Sequence, residues 1–256
     1  MKTIDLNADL AEGYGAWTMG DDDALLGLVS SANIACGFHA GDPVIMDRTA
    51  CKALARGVDI GAHVGFPDLQ GFGRRVMHID ARELAVIVTY QLGALDGIAR
   101  SAGHRMTHMS FHGALGNMVA ADAELAKPLV AAVAVFNPKL TIVTSSSRAV
   151  ESAAAAVHLP VVITFLADRA YDDDGLLVPR KLPGAVIHEP KVVLERVRLL
   201  MSDGVVITHS GQRLSVRAQS ILLHGDNPGA VGLAQAIRAQ VEATGTRIVP
   251  LSHRHK

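Results

Sequence analysis

The alternation of polar and apolar residues at the start of the chain, in IDLNADL, is the feature that most constrains the fold. A β-strand turns successive side chains to opposite faces, so Asp5, Asn7 and Asp9 share one face. Because unpaired carboxylates are costly in a dry interior, this is not an ordinary buried strand. With Glu12 just beyond it, the pattern indicates part of a site. The alternative is that the acids cap neighbouring helices or pair with arginines.

Short runs rich in Val, Ile and Thr alternate with longer helical patterns along the chain. The predicted strands are TIDLNAD, ANIACG, DIGAHV, THMSFH, LTIVTS, VVITFLAD, GVVITHS, SILLHGD and TRIVPL. The predicted helices are DDALLGLVSS, PVIMDRTACKALARG, ARELAVIVTYQLGALDGIARSAG, AELAKPLVAAVAVF, SRAVESAAAAV, PKVVLERVRLLMSDG and PGAVGLAQAIRAQVEATG. Strands alternating with helices of this length predict βαβ units and a parallel sheet.

Prolines and glycines mark the helix boundaries. Helix starts are predicted at Asp42-Pro43, Glu189-Pro190 and Asn227-Pro228, and helix ends at Gly57, Gly103, Gly204 and Gly245. Nothing between them is typical of an interdomain linker, a low-complexity tract or a repeat. Residues 1–256 are therefore predicted to form a single domain.

The composition excludes several classes of partner and location. A formal net charge of -1 gives no basic surface for nucleic acid or an anionic membrane. Two cysteines, Cys36 and Cys51, argue against a disulfide framework and suit a reducing cytoplasm. The N-terminus has no apolar secretory signal, and no apolar run reaches the roughly 18 residues of a membrane span. We expect a cytoplasmic protein with a solvated tail at SHRHK.

Polar residues follow nearly every predicted strand, and histidine is abundant, with 12 in the chain. The residues at the strand ends are Asp9, Glu12, His39, His63, His112, Ser145, Asp168, His209, His224 and Asp226. In βα architectures the carboxyl ends of the strands carry the chemistry. A doubly wound sheet would concentrate these residues at one crevice, whereas a closed barrel gathers all strand ends around one mouth. The spread therefore favours an α/β fold of the β/α barrel type.

The residue types at this mouth suit hydrolytic chemistry. Asp9, Glu12, His63 and His112 are the candidate catalytic residues, because carboxylates and imidazoles serve as general acids and bases. Asp, Glu and His are also metal ligands, and if a divalent ion is bound we expect it at Asp9, His39 and His63. The alternative is that these side chains bind substrate or transfer protons without a metal.

Glycine-rich loops lie at several strand ends, in CGFHAGDP, GAHVGFPDLQGFGRR and LHGDNPGA. Their backbone N–H groups could approach an anion, although no phosphate-loop or dinucleotide motif is present. Four arginines in or near strand-end loops could pair with a carboxylate or phosphate, or simply be solvated: Arg74, Arg75, Arg169 and Arg180. The candidate substrate-binding residues are Asn7, His39, Arg75, Asp168, Arg169, His224 and Asp226. Cys36 is preferred as a small buried residue over a nucleophile paired with His39.

Six segments together resemble the LamB/YcsF family, the A subunits of prokaryotic 5-oxoprolinase. They are IDLNADLAEG, SANIACGFHAGDP, GAHVGFPD with GFGRR, YQLGAL, ADRAYDDDGLLVPR and LHGDNPGAV, and they run from the first strand to the last helix. The resemblance implies a seven-stranded, TIM-like β/α barrel of the glycoside hydrolase/deacetylase type. It also implies a cytoplasmic role in the ATP-dependent opening of 5-oxoproline to glutamate, with ATP as co-substrate and subunits B and C as partners.

One segment departs from the family pattern. Where the family reads roughly HVKPHGALYN, this chain reads HMSFHGALGN, with Ser110, Phe111 and Gly116 in place of Lys, Pro and Tyr. A serine cannot supply the positive charge that a lysine offers to an anionic group. Either another cation compensates, the substrate differs, or activity is reduced.

The leading interpretation is therefore one component of a multi-subunit hydrolase that opens a small cyclic amide. A metal-dependent deacetylase or amidohydrolase that works alone is the main alternative, suggested by the carboxylates and histidines. A non-catalytic subunit is the third, suggested by the missing motif lysine at Ser110. Because the chain has no phosphate loop, the nucleotide is expected mainly on the partner subunits, and a homo-oligomer is left open.

Overall fold

A computed structural model describes residues 2–253 of the chain. The strands are β1 (Thr3–Leu10), β2 (Ser31–Ala35), β3 (Asp59–Val64), β4 (Met106–Phe111), β5 (Thr141–Thr144), β6 (Val161–Leu166), β7 (Val205–Ile207), β8 (Arg213–Ser215), β9 (Ser220–His224) and β10 (Arg247–Ile248). The helices are α1 (Asp22–Leu26), α2 (Pro43–Arg56), α3 (Ala81–Ser101), α4 (Gly113–Ala121), α5 (Ala123–Phe136), α6 (Arg148–Ala156), α7 (Pro190–Asp203) and α8 (Ala230–Ala243). A short 3-10 helix follows at Leu251–His253.

Seven parallel strands close into a barrel, which confirms the predicted fold class. The order is β1-β2-β3-β4-β5-β6-β9, and β9 pairs back onto β1 with Asp5 opposite Ser220 and Asp9 opposite His224. Every strand of the ring therefore has a neighbour on both sides, and all seven carboxyl ends point to the same mouth.

Strand β1 divides its two faces between the apolar core and a polar barrel interior. Its apolar side chains are buried in a core that continues into the surrounding helices; they are Ile4, Leu6, Ala8 and Leu10. Its polar side chains contact polar side chains of the other barrel strands: Asn7 contacts Asn33, and Asp9 contacts both Asn33 and His63. The alternation in the sequence thus reports a strand that is buried on both faces.

The predicted strand at GVVITHS is not part of the barrel. Its three apolar residues form β7, which pairs antiparallel with β8 outside the ring. A tight turn reverses the chain there, since the N–H of Thr208 donates to the carbonyl of Gln212 at 2.9 Å. His209 is consequently exposed in a turn, and its placement on the barrel rim was wrong. The last predicted strand, TRIVPL, shrinks to the two residues of β10 beside β1.

The predicted helix boundaries hold at some positions and shift at others. Helix α2 is capped by Asp42, whose Oδ1 accepts the N–H groups of Val44 and Ile45 at 2.8 and 2.9 Å. Helices α2 and α7 both end at a left-handed glycine, Gly57 and Gly204.

Elsewhere the boundaries differ from the prediction. Glu189 precedes α7 without a side-chain capping bond. Asn227 bonds the N–H of Gly229, so α8 begins at Ala230. Helix α4 was not predicted, because GALGNMVAA carries two glycines and no polar face.

None of the helices within residues 2–253 is long and apolar enough to cross a membrane. The interpretation of residues 1–256 as one domain stays a prediction. The expected solvated tail falls mostly outside the described residues, which end at His253.

Asp5 makes the stability of the barrel depend on pH. Its side chain is fully buried, and its carboxylate accepts the hydroxyl groups of Ser30 and Ser220 at 2.7 and 2.6 Å. Burial raises the pKa of Asp5 from 3.8 to about 6, although these hydrogen bonds oppose the rise. Between those two values the folded chain keeps a proton that the unfolded chain releases. The contribution of Asp5 to stability is thus complete below pH 3.8 and is lost as pH rises through 6.

Replacing Asp5 with asparagine should flatten this dependence. The free energy of unfolding of the wild type should fall, relative to Asp5→Asn, by roughly 3 kcal/mol between pH 4 and pH 7. Urea unfolding of both proteins at the two pH values measures the difference. Asp203→Asn, at an exposed position, is the matched control. An equal pH dependence in the wild type and Asp5→Asn would contradict the assignment.

Candidate active site

The carboxylate of Asp9 lies at the centre of the barrel mouth. Its Oδ1 accepts the side-chain N–H of Asn33 at 2.8 Å. Its Oδ2 lies 3.4 Å from Nε2 of His63 and 3.9 Å from Nε2 of His224. Strands β1, β2, β3 and β9 therefore each contribute one side chain to this group.

A second group of buried side chains adjoins Asp9 and consists of Glu12, His39, His63 and His112. The rings of His39 and His112 are stacked with centroids 3.8 Å apart. Oε1 of Glu12 lies 3.6 Å from Nε2 of His39 and 3.8 Å from Nδ1 of His112. One nitrogen or oxygen from each of the four residues lies within 4.8 Å of the others. We call this group the Glu-His cluster.

Two strained backbone segments hold the Glu-His cluster in place. Ala11 has a φ of +60°, a left-handed conformation that turns the chain between Asp9 and Glu12. Phe72 and Gly73 are left-handed as well, with φ values of +53° and +60°. A Cβ atom on Gly73 would lie 2.7 Å from a ring carbon of His112, so only glycine lets this loop pack against the imidazole.

The hydrogen bonds around His112 define one direction of donation. The carbonyl of Phe72 can only accept, so Nε2–H of His112 donates to it at 2.8 Å. In the neutral ring, Nδ1 then accepts from Nε2–H of His63 at 2.9 Å. Nδ1 of His63 in turn accepts the hydroxyl of Ser110 at 2.7 Å. Ser110, which departs from the family pattern, thus positions His63.

The acids and imidazoles of the mouth differ in protonation. Burial alone would raise the pKa of Asp9, but attraction to His63 and hydrogen bonds outweigh it and lower that pKa. Burial, with repulsion from Asp9, raises the pKa of Glu12 well above its ordinary value. Burial also lowers the pKa values of His39 and His112 well below the ordinary value. At neutral pH, Asp9 is therefore ionised, Glu12 holds a proton, and both imidazoles are neutral.

Loops from the opposite side of the barrel complete the mouth. Asp168, after β6, accepts Nδ1–H of His224 through both carboxylate oxygens at 2.7 and 2.9 Å. Nη2 of Arg180 donates to Nε2 of His224 at 3.1 Å. Asp226 pairs with Arg74 at 2.6 Å.

A cavity of about 550 Å³ opens at this mouth. Its polar part is formed by Asp9, His63, Arg74, His112, Ser145, Arg169, Arg180, Lys181 and His224. Its apolar wall includes Phe111, Met118, Val143, Leu166, Leu177 and Leu222. The three departures from the family pattern, Ser110, Phe111 and Gly116, all line it. The altered segment therefore shapes the space available to a ligand.

Six predicted site residues thus come together at one mouth, namely Asp9, His39, His63, His112, Asp168 and His224. Other candidates lie elsewhere or are already paired. Asn7 is fully buried below the mouth, and Arg75 is exposed and pairs with Asp68. Arg169 reaches the cavity but donates to the carbonyls of Ala185 and Val178 at 3.2 and 2.7 Å. Their roles in substrate binding stay predictions.

Cys36 does not have the properties of a nucleophile. Its side chain is buried, and burial raises the pKa of the thiol to about 12. The thiol donates to the carbonyl of Ile34 at 3.1 Å. Because the thiolate is the reactive form, the structure favours the interpretation of Cys36 as a small buried residue.

Sequence reasoning missed two residues that organise the mouth. Asn33 holds Asp9, and the alternation in SANIA would have placed it on the same face as Ser31. The carbonyl of Phe72 holds His112, and the only signal in the sequence was the glycine pair that flanks it in GFG.

The Glu-His cluster is suited to hold a divalent metal ion. Both ring nitrogens of His39 are buried without a hydrogen-bond partner, as expected for an imidazole that serves as a metal ligand. The outer nitrogens of His63 and His112 bond Ser110 and the carbonyl of Phe72, which is how metal-bound imidazoles are commonly fixed. The cluster contains His39 and His63 of the predicted set, with Glu12 and His112 instead of Asp9.

Comparison with known proteins identifies close relatives, both of them 5-oxoprolinase A subunits. The one numbered 1 in Pseudomonas syringae pv. tomato is 66% identical over 249 residues, covering 97% of this chain and 97% of that protein. The one numbered 2 in Ralstonia nicotianae is 65% identical over 249 residues, covering 97% and 96%.

A solved structure has the same fold over its whole length. The lactam utilization protein from Thermus thermophilus matches with a TM-score of 0.91 and 39% identity, covering 98% of this chain and 100% of that one. The model of the LamB/YcsF family matches residues 4–256. This match spans both the barrel and the loops that form its mouth, and the chain belongs to the LamB/YcsF family.

Proposed function

We propose that the chain is the A subunit of an ATP-dependent 5-oxoprolinase, which opens the lactam of 5-oxoproline by hydrolysis to give glutamate. Relatives at 65% and 66% identity that carry this name and match end to end support the choice of substrate. The observation that carries the chemistry is the meeting of Asp9, Glu12 and three imidazoles at one cavity.

The proposal assigns the nucleotide and the remaining steps to a complex. A lactam amide resists hydrolysis at neutral pH, and ATP can activate its carbonyl as a phosphorylated species. The chain carries no phosphate-loop motif, so we assign most of the nucleotide site to partner subunits B and C. The naming of the relatives as A subunits implies such partners. The proposal includes a cytoplasmic location, which the free cysteines Cys36 and Cys51 suit.

Ring opening requires a base that activates water and an acid that protonates the leaving nitrogen. His112, neutral and held by Phe72, is suited to accept a proton from water at Nδ1. Glu12 lies 3.8 Å from that nitrogen and retains a proton that it can donate. Asp9 stays ionised and stabilises positive charge that develops on the imidazoles. Two acids with opposite protonation states are typical of such a division of roles.

Glutamate release from 5-oxoproline tests the proposal against its alternatives. With subunits B and C and ATP, the chain should support glutamate formation, and omission of ATP, or of any one component, should abolish it. Metal-dependent hydrolysis by the chain alone, without ATP, would instead favour the deacetylase or amidohydrolase interpretation. A complex that works equally well without this chain's carboxylates would favour the non-catalytic role suggested by Ser110.

Substitutions at Glu12 and His112 test the assigned roles. Glu12→Gln and His112→Asn should each lower kcat of the complex by roughly 100- to 10,000-fold, the usual contribution of general acid–base catalysis. His209→Asn, in an exposed turn, is the matched control and should keep full activity. Thermal unfolding of each variant separates lost chemistry from lost folding. Nearly wild-type kcat in folded Glu12→Gln would argue against its role as the acid.

A metal-assisted reaction is the second candidate, favoured by the unpartnered nitrogens of His39. Glu12, His39, His63 and His112 would hold the ion. A divalent metal supplies Lewis acidity that polarises an amide carbonyl. Glu12 would then be ionised as a ligand, so its role as a proton donor and its role as a ligand exclude each other.

Metal binding can be measured without any activity. Calorimetric titration of Zn²⁺ or Mn²⁺ into metal-free protein should give one ion per chain. At 100 times the dissociation constant, the ion should stabilise the fold by about 2.7 kcal/mol. Glu12→Gln and His39→Asn should lose this binding, whereas His209→Asn should keep it. Wild-type protein that binds neither ion would contradict the metal site.

A further inference from the structure

Arg180 is a cation at the mouth without an anionic partner. It is half-buried, and its Nη2 donates to Nε2 of His224 at 3.1 Å. Among the residues that the structure describes, no carboxylate forms an ion pair with its guanidinium group. Because a guanidinium group has five N–H donors and cannot accept, most of its donors remain available to a ligand.

The other arginines near the mouth are already committed. Arg74 pairs with Asp226 at 2.6 Å, and Arg75 pairs with Asp68. Arg169 donates to two backbone carbonyls and is 2% exposed. These three side chains therefore stabilise loops, whereas Arg180 is free to bind a ligand.

The surroundings of Arg180 favour an incoming anion. Burial, together with repulsion from Arg74, lowers the pKa of Arg180, which shows that its charge is poorly compensated. A partly desolvated guanidinium group gains most from a planar oxyanion that accepts two parallel hydrogen bonds. A carboxylate has this geometry.

Arg180 also lies beside the reacting groups. It lines the same cavity as Asp9, His63 and His112. His224, which accepts from Arg180, has its Nε2 3.9 Å from Oδ2 of Asp9. A ligand held by Arg180 would therefore have its remaining atoms next to the acids and imidazoles of the mouth.

We propose that Arg180 binds the carboxylate of 5-oxoproline and so directs the lactam ring toward Asp9 and the Glu-His cluster. This assignment rests on the proposed function, because 5-oxoproline has a single carboxylate besides its lactam. It also provides the cation that Ser110 does not supply, since both residues line the cavity. Arg180 acts as a binding residue and takes no proton.

The test compares 5-oxoproline with 5-oxoprolinamide, its neutral analogue, in the complex with subunits B and C. Arg180→Met should raise KM for 5-oxoproline by roughly ten- to a hundredfold, the range expected when a charge-assisted hydrogen bond is lost. KM for the amide should change little, so the preference for the acid should collapse. Arg180→Lys should restore part of it. Arg198→Met, exposed on α7 and paired with Glu195, is the matched control.

The outcomes separate this proposal from the proposed function. An active wild-type complex whose preference for the acid survives in Arg180→Met would overturn the role of Arg180 alone. A rise in KM for ATP, with the preference for the acid unchanged, would assign Arg180 to a phosphate and would also overturn it. A wild-type complex that releases no glutamate would overturn the proposed function and, with it, the choice of carboxylate.

Discussion

The polar inner face of β1 is the constraint on which the rest of the structure depends. In most β/α barrels, layers of branched apolar side chains fill the interior. Here Asp5, Asn7 and Asp9 enter it, and each requires partners from neighbouring strands. Hydroxyl groups on the β1–β2 connection and on β9 satisfy Asp5, and Asn33 and imidazoles satisfy Asp9. Because those partners come from both neighbours of β1, closure of the barrel and assembly of the mouth are one event.

The same burial that closes the barrel also divides the protonation states. The dry interior disfavours charge on Glu12 and on the stacked imidazoles, whereas the hydrogen bonds of Asp9 offset its cost of burial. The difference between the two acids therefore follows from their neighbours and not from their residue types. An ion held by the Glu-His cluster would rearrange this division, since it favours ionised Glu12 and frees the imidazoles from one another.

The period of two in IDLNADL and the βα alternation sufficed to predict a barrel and six residues of its mouth, because strand ends converge whatever the loops do. Loop residues could not be placed in this way. Arg75 and Arg169 share their glycine-rich context with Arg180, yet Asp68 and backbone carbonyls engage the first two. The hairpin of β7 and β8 was missed because VVI is as apolar as a barrel strand, and only the turn that follows distinguishes it.

The left-handed pair at Phe72 and Gly73 bears on how this chain can diverge in evolution. Few dipeptides adopt two successive positive φ values, and a side chain at the second position would displace His112. Natural variation is therefore blocked on this side of the mouth. It remains open on the β4 wall, where Phe111 contributes only apolar surface. New ligand preferences can arise on that wall by single substitutions while the imidazole that faces it stays fixed.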